Sequence, residues 1–253
     1  MSQTRDRAVT AMEEMLAAFE AKLTPPVLTA KGDRRVFRYE DKSAPQAIVQ
    51  KIARVVSGIR AGDILMERGY LQEGAALIRV ISEMIEDIRF LSKAIITRDA
   101  SEFLKTYLRV FYEEALPGDD DVITELNRKR TRISRRQVRD ADARYNDEVK
   151  IPQDELPTAQ LSRALTNLFS EFVHGSSSQI MDMYGGSPPH FHVAGMPGTP
   201  PQADYQRYFD EVILSAAHAF SLSAVAFGDG AIKGKADELV SVLQSPTSAS
   251  GGV

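Results

Sequence analysis

Cysteine and tryptophan are both absent from the 253 residues. Without cysteine the chain can form no disulfide, no zinc–thiolate site and no cysteine nucleophile, which suits a reducing compartment. Strong net charge is also absent: 31 basic side chains stand against 35 acidic ones, for a formal charge of −4. The composition therefore gives no overall attraction to nucleic acid or to anionic lipid. Charged side chains interrupt residues 8–23, which excludes a signal peptide there. The sequence predicts a soluble, cytoplasmic protein.

Long hydrophobic runs are missing as well. The best candidate for a membrane span is the uncharged stretch 212–228, which is shorter than the roughly 20 residues that a spanning helix needs. Ser215, His218 and Ser223 also lie within it. We interpret this stretch as a buried helix whose small side chains let neighbouring backbones approach closely, and we expect no membrane association.

What the sequence does contain is helical periodicity. The strongest pattern steps by 4, 3, 4, 3 and 4 residues, a heptad seam within a helix predicted over 71–96; its members are Leu77, Ile81, Met84, Ile88, Leu91 and Ile95. Further helices are predicted over 6–23, 46–67, 102–116, 119–145, 158–184, 203–227 and 235–243. No strand–turn–strand signal is recognised, although 35–39 alternates and could form one short extended piece. The fold class predicted is all-α, a bundle of about six to eight helices.

The domain prediction is a single bundle over 1–244. Within it, residues 1–45 comprise a helix and a connection that could be peripheral. Five prolines and four glycines between 185 and 201 predict a long loop between two helices. Residues 245–253 are predicted to be a disordered tail.

Two of the predicted helices carry a polar stripe on an otherwise apolar surface. The first stripe consists of Arg79, Glu83 and Glu86, and the second of Arg163, Asn167, Ser170 and His174. If the stripes meet, a carboxylate would orient the imidazole for general acid–base work. The candidate catalytic residues are then His174, Glu83, Arg79 and Asn167, with Arg163, Ser170 and Glu86 as binding residues. The alternatives are that both stripes face solvent, or that they form a buried structural network.

A second candidate is the pair His190 and His192. Alternate side chains of an extended segment point the same way, so the two rings could share a metal ion. No further ligand set at fixed spacing accompanies them. The alternative is a proline-rich loop with incidental histidines, and we predict no metal and no cofactor.

A third candidate is an arginine stripe at helical spacing, formed by Arg128, Arg132, Arg135 and Arg139. Guanidinium groups in such a row suit phosphates. However, eight acidic residues balance the eight basic ones between 119 and 148. The balance favours a solvated, salt-bridged helix, and leaves an acidic partner or RNA as the alternative.

Two segments resemble a bacterial family of helical proteins of unknown function. They are Ala75–Glu83, with its arginine and glutamate four apart, and Leu168–Ser176, which ends in histidine and small residues. The later segment also resembles HEPN-type domains, which are helical, often dimeric, and in active members cleave RNA without metal. The resemblance implies an arginine four to six residues before His174, but Arg163 lies too far upstream and no other arginine precedes it there. Arg79 or Arg163 would have to substitute through space.

No complete catalytic set emerges from these patterns. The sequence therefore predicts a non-catalytic interaction protein. It would self-associate or bind a protein partner through apolar helix surface that the bundle core does not cover. The alternative is a HEPN-like, RNA-acting toxin or defence component that uses His174.

Overall fold

A computed structural model describes residues 3–31, 34–113, 131–149 and 169–245. Its helices are α1 (Gln3–Glu20), α2 (Ala44–Glu67), α3 (Leu71–Ile96), α4 (Glu102–Tyr112), α5 (Arg135–Val149), α6 (Ser177–Met181), α7 (Pro200–Ala226) and α8 (Gly230–Gln244). Its strands are β1 (Val27–Lys31), β2 (Arg34–Arg38), β3 (Tyr184–Gly185) and β4 (His190–Phe191). Residues 169–174 are also helical. The predicted all-α fold is confirmed.

Helix α3 lies at the centre, as its heptad seam predicts. It packs against α2, α5 and α7. Of the seam, Ile81, Ile88 and Leu91 are buried, whereas the other three members are partly covered. Ile78 and Ile85, which follow the seam residues Leu77 and Met84 in the sequence, are as deeply buried as the three buried members of the seam. The buried surface of α3 is thus wider than a two-helix seam, because neighbours cover it from several directions.

Helix α7 contains the uncharged stretch that was interpreted as a buried helix. By length and composition it could cross a membrane, but 56% of its most apolar window is buried inside the structure. It packs between α3 and α8. The Ser92 and Ser223 hydroxyls meet at 3.0 Å between α3 and α7, so the buried Ser223 hydroxyl has a hydrogen-bond partner within the bundle.

Helix α1 is part of the core rather than an appendage. It buries Val9, Met12, Met15 and Phe19 completely. It also reaches across the bundle through Arg5, whose guanidinium donates to Asp210 on α7 at 2.7 Å and to Asp63 on α2 at 3.2 Å.

A β-hairpin follows α1, which the sequence reading had missed. Strands β1 and β2 pair antiparallel, with Val27 opposite Arg38 and Lys31 opposite Arg34. The extended piece predicted at 35–39 is therefore real, but it has a partner strand. A second, two-residue hairpin of β3 and β4 lies within the predicted glycine- and proline-rich loop.

Two of the long predicted helices are not continuous over their predicted lengths. The helix predicted over 119–145 is contradicted because residues 131–134 have no regular structure and α5 begins only at Arg135. Ser134 and Gln137 form a reciprocal cap at the start of α5. The backbone N–H of Gln137 donates to the Ser134 hydroxyl at 3.3 Å, and the backbone N–H of Ser134 donates to the side-chain oxygen of Gln137 at 2.8 Å. The helix predicted over 158–184 is interrupted at Gly175, whose φ is +62°. Residues 114–116, 119–130 and 158–168 of the predicted helices, and 246–253 of the predicted tail, lie outside the described residues.

The turn between α2 and α3 is locked against the loop before α7. Gly69 has φ +74° and its carbonyl accepts from the Met196 amide at 2.8 Å. A Cβ at Gly69 would clash with the backbone of Met196 and Pro197. In the first turn of α7, the Gln202 side chain donates to the Met66 carbonyl at 2.7 Å, so the loop and the start of α7 together close the end of α2.

Gly69→Ala is therefore expected to lower the free energy of unfolding by about 2 kcal/mol or more, since positive φ and a backbone clash are both introduced. The control is Gly228→Ala, where φ is +64° but nothing lies within 4 Å of the new Cβ. Only the conformational cost of about 1 kcal/mol remains there. Urea denaturation of both variants measures the difference, and equal losses would contradict a packing role for the loop.

Candidate functional site

His174 lies at the end of the helical segment 169–174, which aromatic packing fixes on α7. Phe169 is buried, with its ring 5.8 Å from that of Tyr208, and Phe172 packs edge-on against Tyr205. Gly175 then ends the segment, and the imidazole of His174 is exposed. Ser170 is half-buried, while Asn167 and Arg163 lie outside the described residues.

The first stripe on α3 does not reach His174 through any contact in the described part of the chain. Arg79 pairs with Glu83 on the same helix, and the two side chains are 19% and 25% exposed. Glu86 pairs with α5 instead. No hydrogen bond or ion pair joins His174 to Glu83 or Glu86 where the structure describes them. Of the four candidate catalytic residues, the three that the structure describes are thus divided: Arg79 and Glu83 lie on α3, and His174 lies at the exposed end of the 169–174 segment.

The most built-up polar arrangement is a buried charge network between α2, α3 and α5. Its centre is Asp87, whose carboxylate receives the Lys51 ammonium at 2.8 Å and the Arg135 guanidinium at 2.6 Å. Lys51 and Asp87 are 5% and 4% exposed. The Lys51 ammonium also lies 4.4 Å from the centre of the Phe111 ring on α4. Sequence reasoning had selected Arg135, but neither Asp87, which binds it, nor Lys51, which binds the same carboxylate.

Glu86, next to Asp87, extends the network towards solvent. Its carboxylate accepts from Arg139 at 3.0 Å and lies 3.5 Å from Arg135. Burial raises the pKa of Glu86 above its usual value in spite of these two cations. Burial would raise the pKa of Asp87 too, but Lys51 and Arg135 outweigh it and hold that pKa below 3.8.

The predicted arginine stripe on a single helix is wrong. Arg132 lies in the irregular segment before α5 and Arg128 lies outside the described residues, so no single helix carries all four arginines. Arg135 and Arg139 are engaged with the carboxylates of α3. The interpretation favoured by the charge balance, a solvated helix with salt bridges, holds only in part: α5 is salt-bridged, but to α3, and the face that carries these residues is packed on the bundle. Within α5 itself, the Arg136 guanidinium and the Asp140 carboxylate lie 3.7 Å apart at the surface.

A second buried cation, Lys93, lies about two turns further along α3 than Glu86 and Asp87. The Lys93 side chain is fully buried, and its ammonium contacts Asp142 and Asn146 on α5, each at 2.7 Å. Nearby, the Tyr145 hydroxyl donates to Asp99 at 2.6 Å. Five side chains of α5 thus bind α3 or its C-terminal end, and they fasten a strongly polar helix to the core.

His190 and His192 lie on the β3–β4 hairpin, where their ring centres are 4.4 Å apart. The Nδ1 atom of His190 lies 2.9 Å from the Pro188 carbonyl oxygen. No group of three histidine, aspartate or glutamate side chains that could hold a metal occurs within the described ranges. The pair therefore has no third protein ligand there.

The same region presents an apolar surface to solvent. We call it the 173–193 surface; its side chains, each at least 44% exposed, are Val173, Ile180, Met181, Tyr184, Phe191 and Val193. Val193 is the most exposed of them, at 76%. No lysine or arginine occurs between 164 and 206, so only histidines and the carboxylates of Glu171, Asp182 and Asp204 give this region charge.

No protein-family model, no curated protein and no solved structure matches the chain. The resemblances to the bacterial helical family and to HEPN-type domains stay predictions.

Proposed function

We propose that the protein is a helical binding protein that self-associates through the 173–193 surface. The observation that supports this is the concentration of large apolar side chains there, six within 21 residues, on a segment that is anchored by buried aromatic rings. A soluble protein exposes a patch of this size chiefly where something binds.

A second copy is the occupant that the surface favours. The six side chains expose on the order of 500 Å², so two copies would bury about 1,000 Å² from these residues alone, the lower limit for a stable interface. The absence of lysine and arginine argues against an acidic partner. In a two-fold arrangement the exposed carboxylates Glu171 and Asp182 of one copy can face the histidines of the other.

The test is the mass of the full chain in solution, measured by sedimentation equilibrium at micromolar concentration. We expect wild type to form a dimer, and Met181→Glu with Val193→Glu to be monomeric with unchanged circular dichroism. The control is Val242→Glu on α8, a residue 52% exposed on another face, which should remain dimeric. A monomeric wild type, or a dimer that survives the double substitution, would overturn the proposal.

A further inference from the structure

A groove lies between the β1–β2 hairpin and the C-terminal half of α4, away from the residues discussed so far. It consists of two adjoining cavities of about 460 and 610 Å³. Both cavities are lined by Lys42, Tyr112 and Glu113, so they form one continuous depression. Each cavity by itself is in the size range of sites for small organic ligands.

Aromatic rings line the first cavity. Phe37 of β2 is 65% exposed, which makes it the most exposed aromatic side chain in the described chain. Tyr39, Phe111 and Tyr112 line the same cavity. Two of these rings are held rigidly, since the Tyr112 hydroxyl donates to the Ser43 carbonyl at 2.8 Å and Phe111 lies against both Tyr112 and the Lys51 ammonium.

Basic side chains line the groove around these rings. They are Arg38, Lys42, Lys105 and Arg109, against a single acidic lining residue, Glu113. Lys105 is paired with Glu102 at 2.6 Å. Lys42, which stands where the two cavities join, is exposed and forms no ion pair with any residue that the structure describes. An anion entering the groove would therefore meet a cation at its centre.

We propose that this groove binds a nucleoside phosphate, either free or as part of single-stranded RNA. Flat rings beside a groove of cations are the combination that such ligands require, because every base offers a face for stacking and every phosphate a negative charge. The base would stack on Phe37, and the phosphate would lie against Lys42. Neither residue belongs to the 173–193 surface, so this site can fail or succeed independently of self-association.

The test is isothermal titration calorimetry of the full chain with AMP, adenosine, inorganic phosphate and short oligoadenylate RNAs at low salt. We expect AMP or the oligonucleotides to bind, adenosine and phosphate alone to bind at least tenfold more weakly, and affinity to fall as salt rises. Equal affinity for AMP and RNA indicates a single-nucleotide site, and affinity that grows with RNA length indicates a strand-binding groove; either supports the proposal.

The variants are Phe37→Ala, expected to weaken binding at least fivefold through lost stacking, and Lys42→Ala, expected to weaken it and to reduce the salt dependence. Both side chains are exposed, so an unchanged melting temperature should accompany each loss. The matched controls are Val242→Ala and Arg136→Ala, which remove an exposed apolar side chain and an exposed cation outside both the groove and the 173–193 surface. Failure of AMP and RNA to bind at millimolar concentration, or equal losses in variants and controls, would overturn the site.

Discussion

Asp87→Ala is expected to destabilise the protein by about 3–5 kcal/mol, because it leaves the Lys51 ammonium buried without its carboxylate. Lys51 is 5% exposed and Asp87 is its ion-pair partner at 2.8 Å. Arg135 loses its 2.6 Å contact at the same time, so the hold of α5 on α3 weakens too. Thermal or urea unfolding at pH 7 measures the loss. The control is Asp140→Ala on α5, whose 3.7 Å surface pair with Arg136 should be worth under about 0.5 kcal/mol.

The effect of Asp87→Ala should depend on pH in a definite direction. The folded-state pKa of Asp87 lies below the ordinary 3.8, so its contribution is fully present above that value and is lost as pH falls through the folded pKa. Wild type and variant should therefore converge in acid. A second variant, Lys51→Met with Asp87→Leu, removes both charges and should recover part of the stability. An equal loss in the single and double variants would show that burial of charge is not the cause.

Sequence periodicity predicted α2, α3 and α7 well because each carries a long apolar row that neighbours cover, whereas it missed the first five residues of α8. It failed at helix starts, where the deciding signal is local. Ser134 and Gln137 have capping-box spacing, and this signal marks the start of α5 against a helical pattern that continues upstream. The β1–β2 hairpin carried a signal as well: the largely apolar run 27–30 and the alternating segment 35–39 lie on either side of Gly32 and Asp33, a dipeptide typical of hairpin turns.

The candidate site was harder to predict, because its key residues interrupt apolar rows rather than form polar ones. Asp87 stands between Met84 and Leu91 in the helical row of α3, and Lys51 stands between Ile48 and Val55 in that of α2. A charge at such a position must be paired, and this could have been read from the sequence. Which cation meets which carboxylate could not, since the answer depends on how α2, α3 and α5 cross. The groove at Phe37 was hidden for the same reason: its two walls are about 70 residues apart.

Asp142→Ala is the second large effect expected, about 2–3 kcal/mol of lost stability. The Lys93 side chain is 0% exposed, so its ammonium cannot regain water once the carboxylate is gone. The Asn146 side-chain oxygen, also at 2.7 Å, still accepts from it, which is why the loss should be smaller than for Asp87→Ala. Urea denaturation is the measurement, with Asp140→Ala again as the surface control on the same helix.

Asp142→Ala should be compared with a second variant, Lys93→Met, which replaces the buried ammonium by an apolar side chain of similar length. It should leave stability within about 1 kcal/mol of wild type, since removing a buried cation also removes its desolvation cost. Asp142 is 15% exposed and can then turn to water. If instead Lys93→Met is as damaging as Asp142→Ala, the ammonium itself is required, and the contact between α3 and α5 depends on it for more than charge balance.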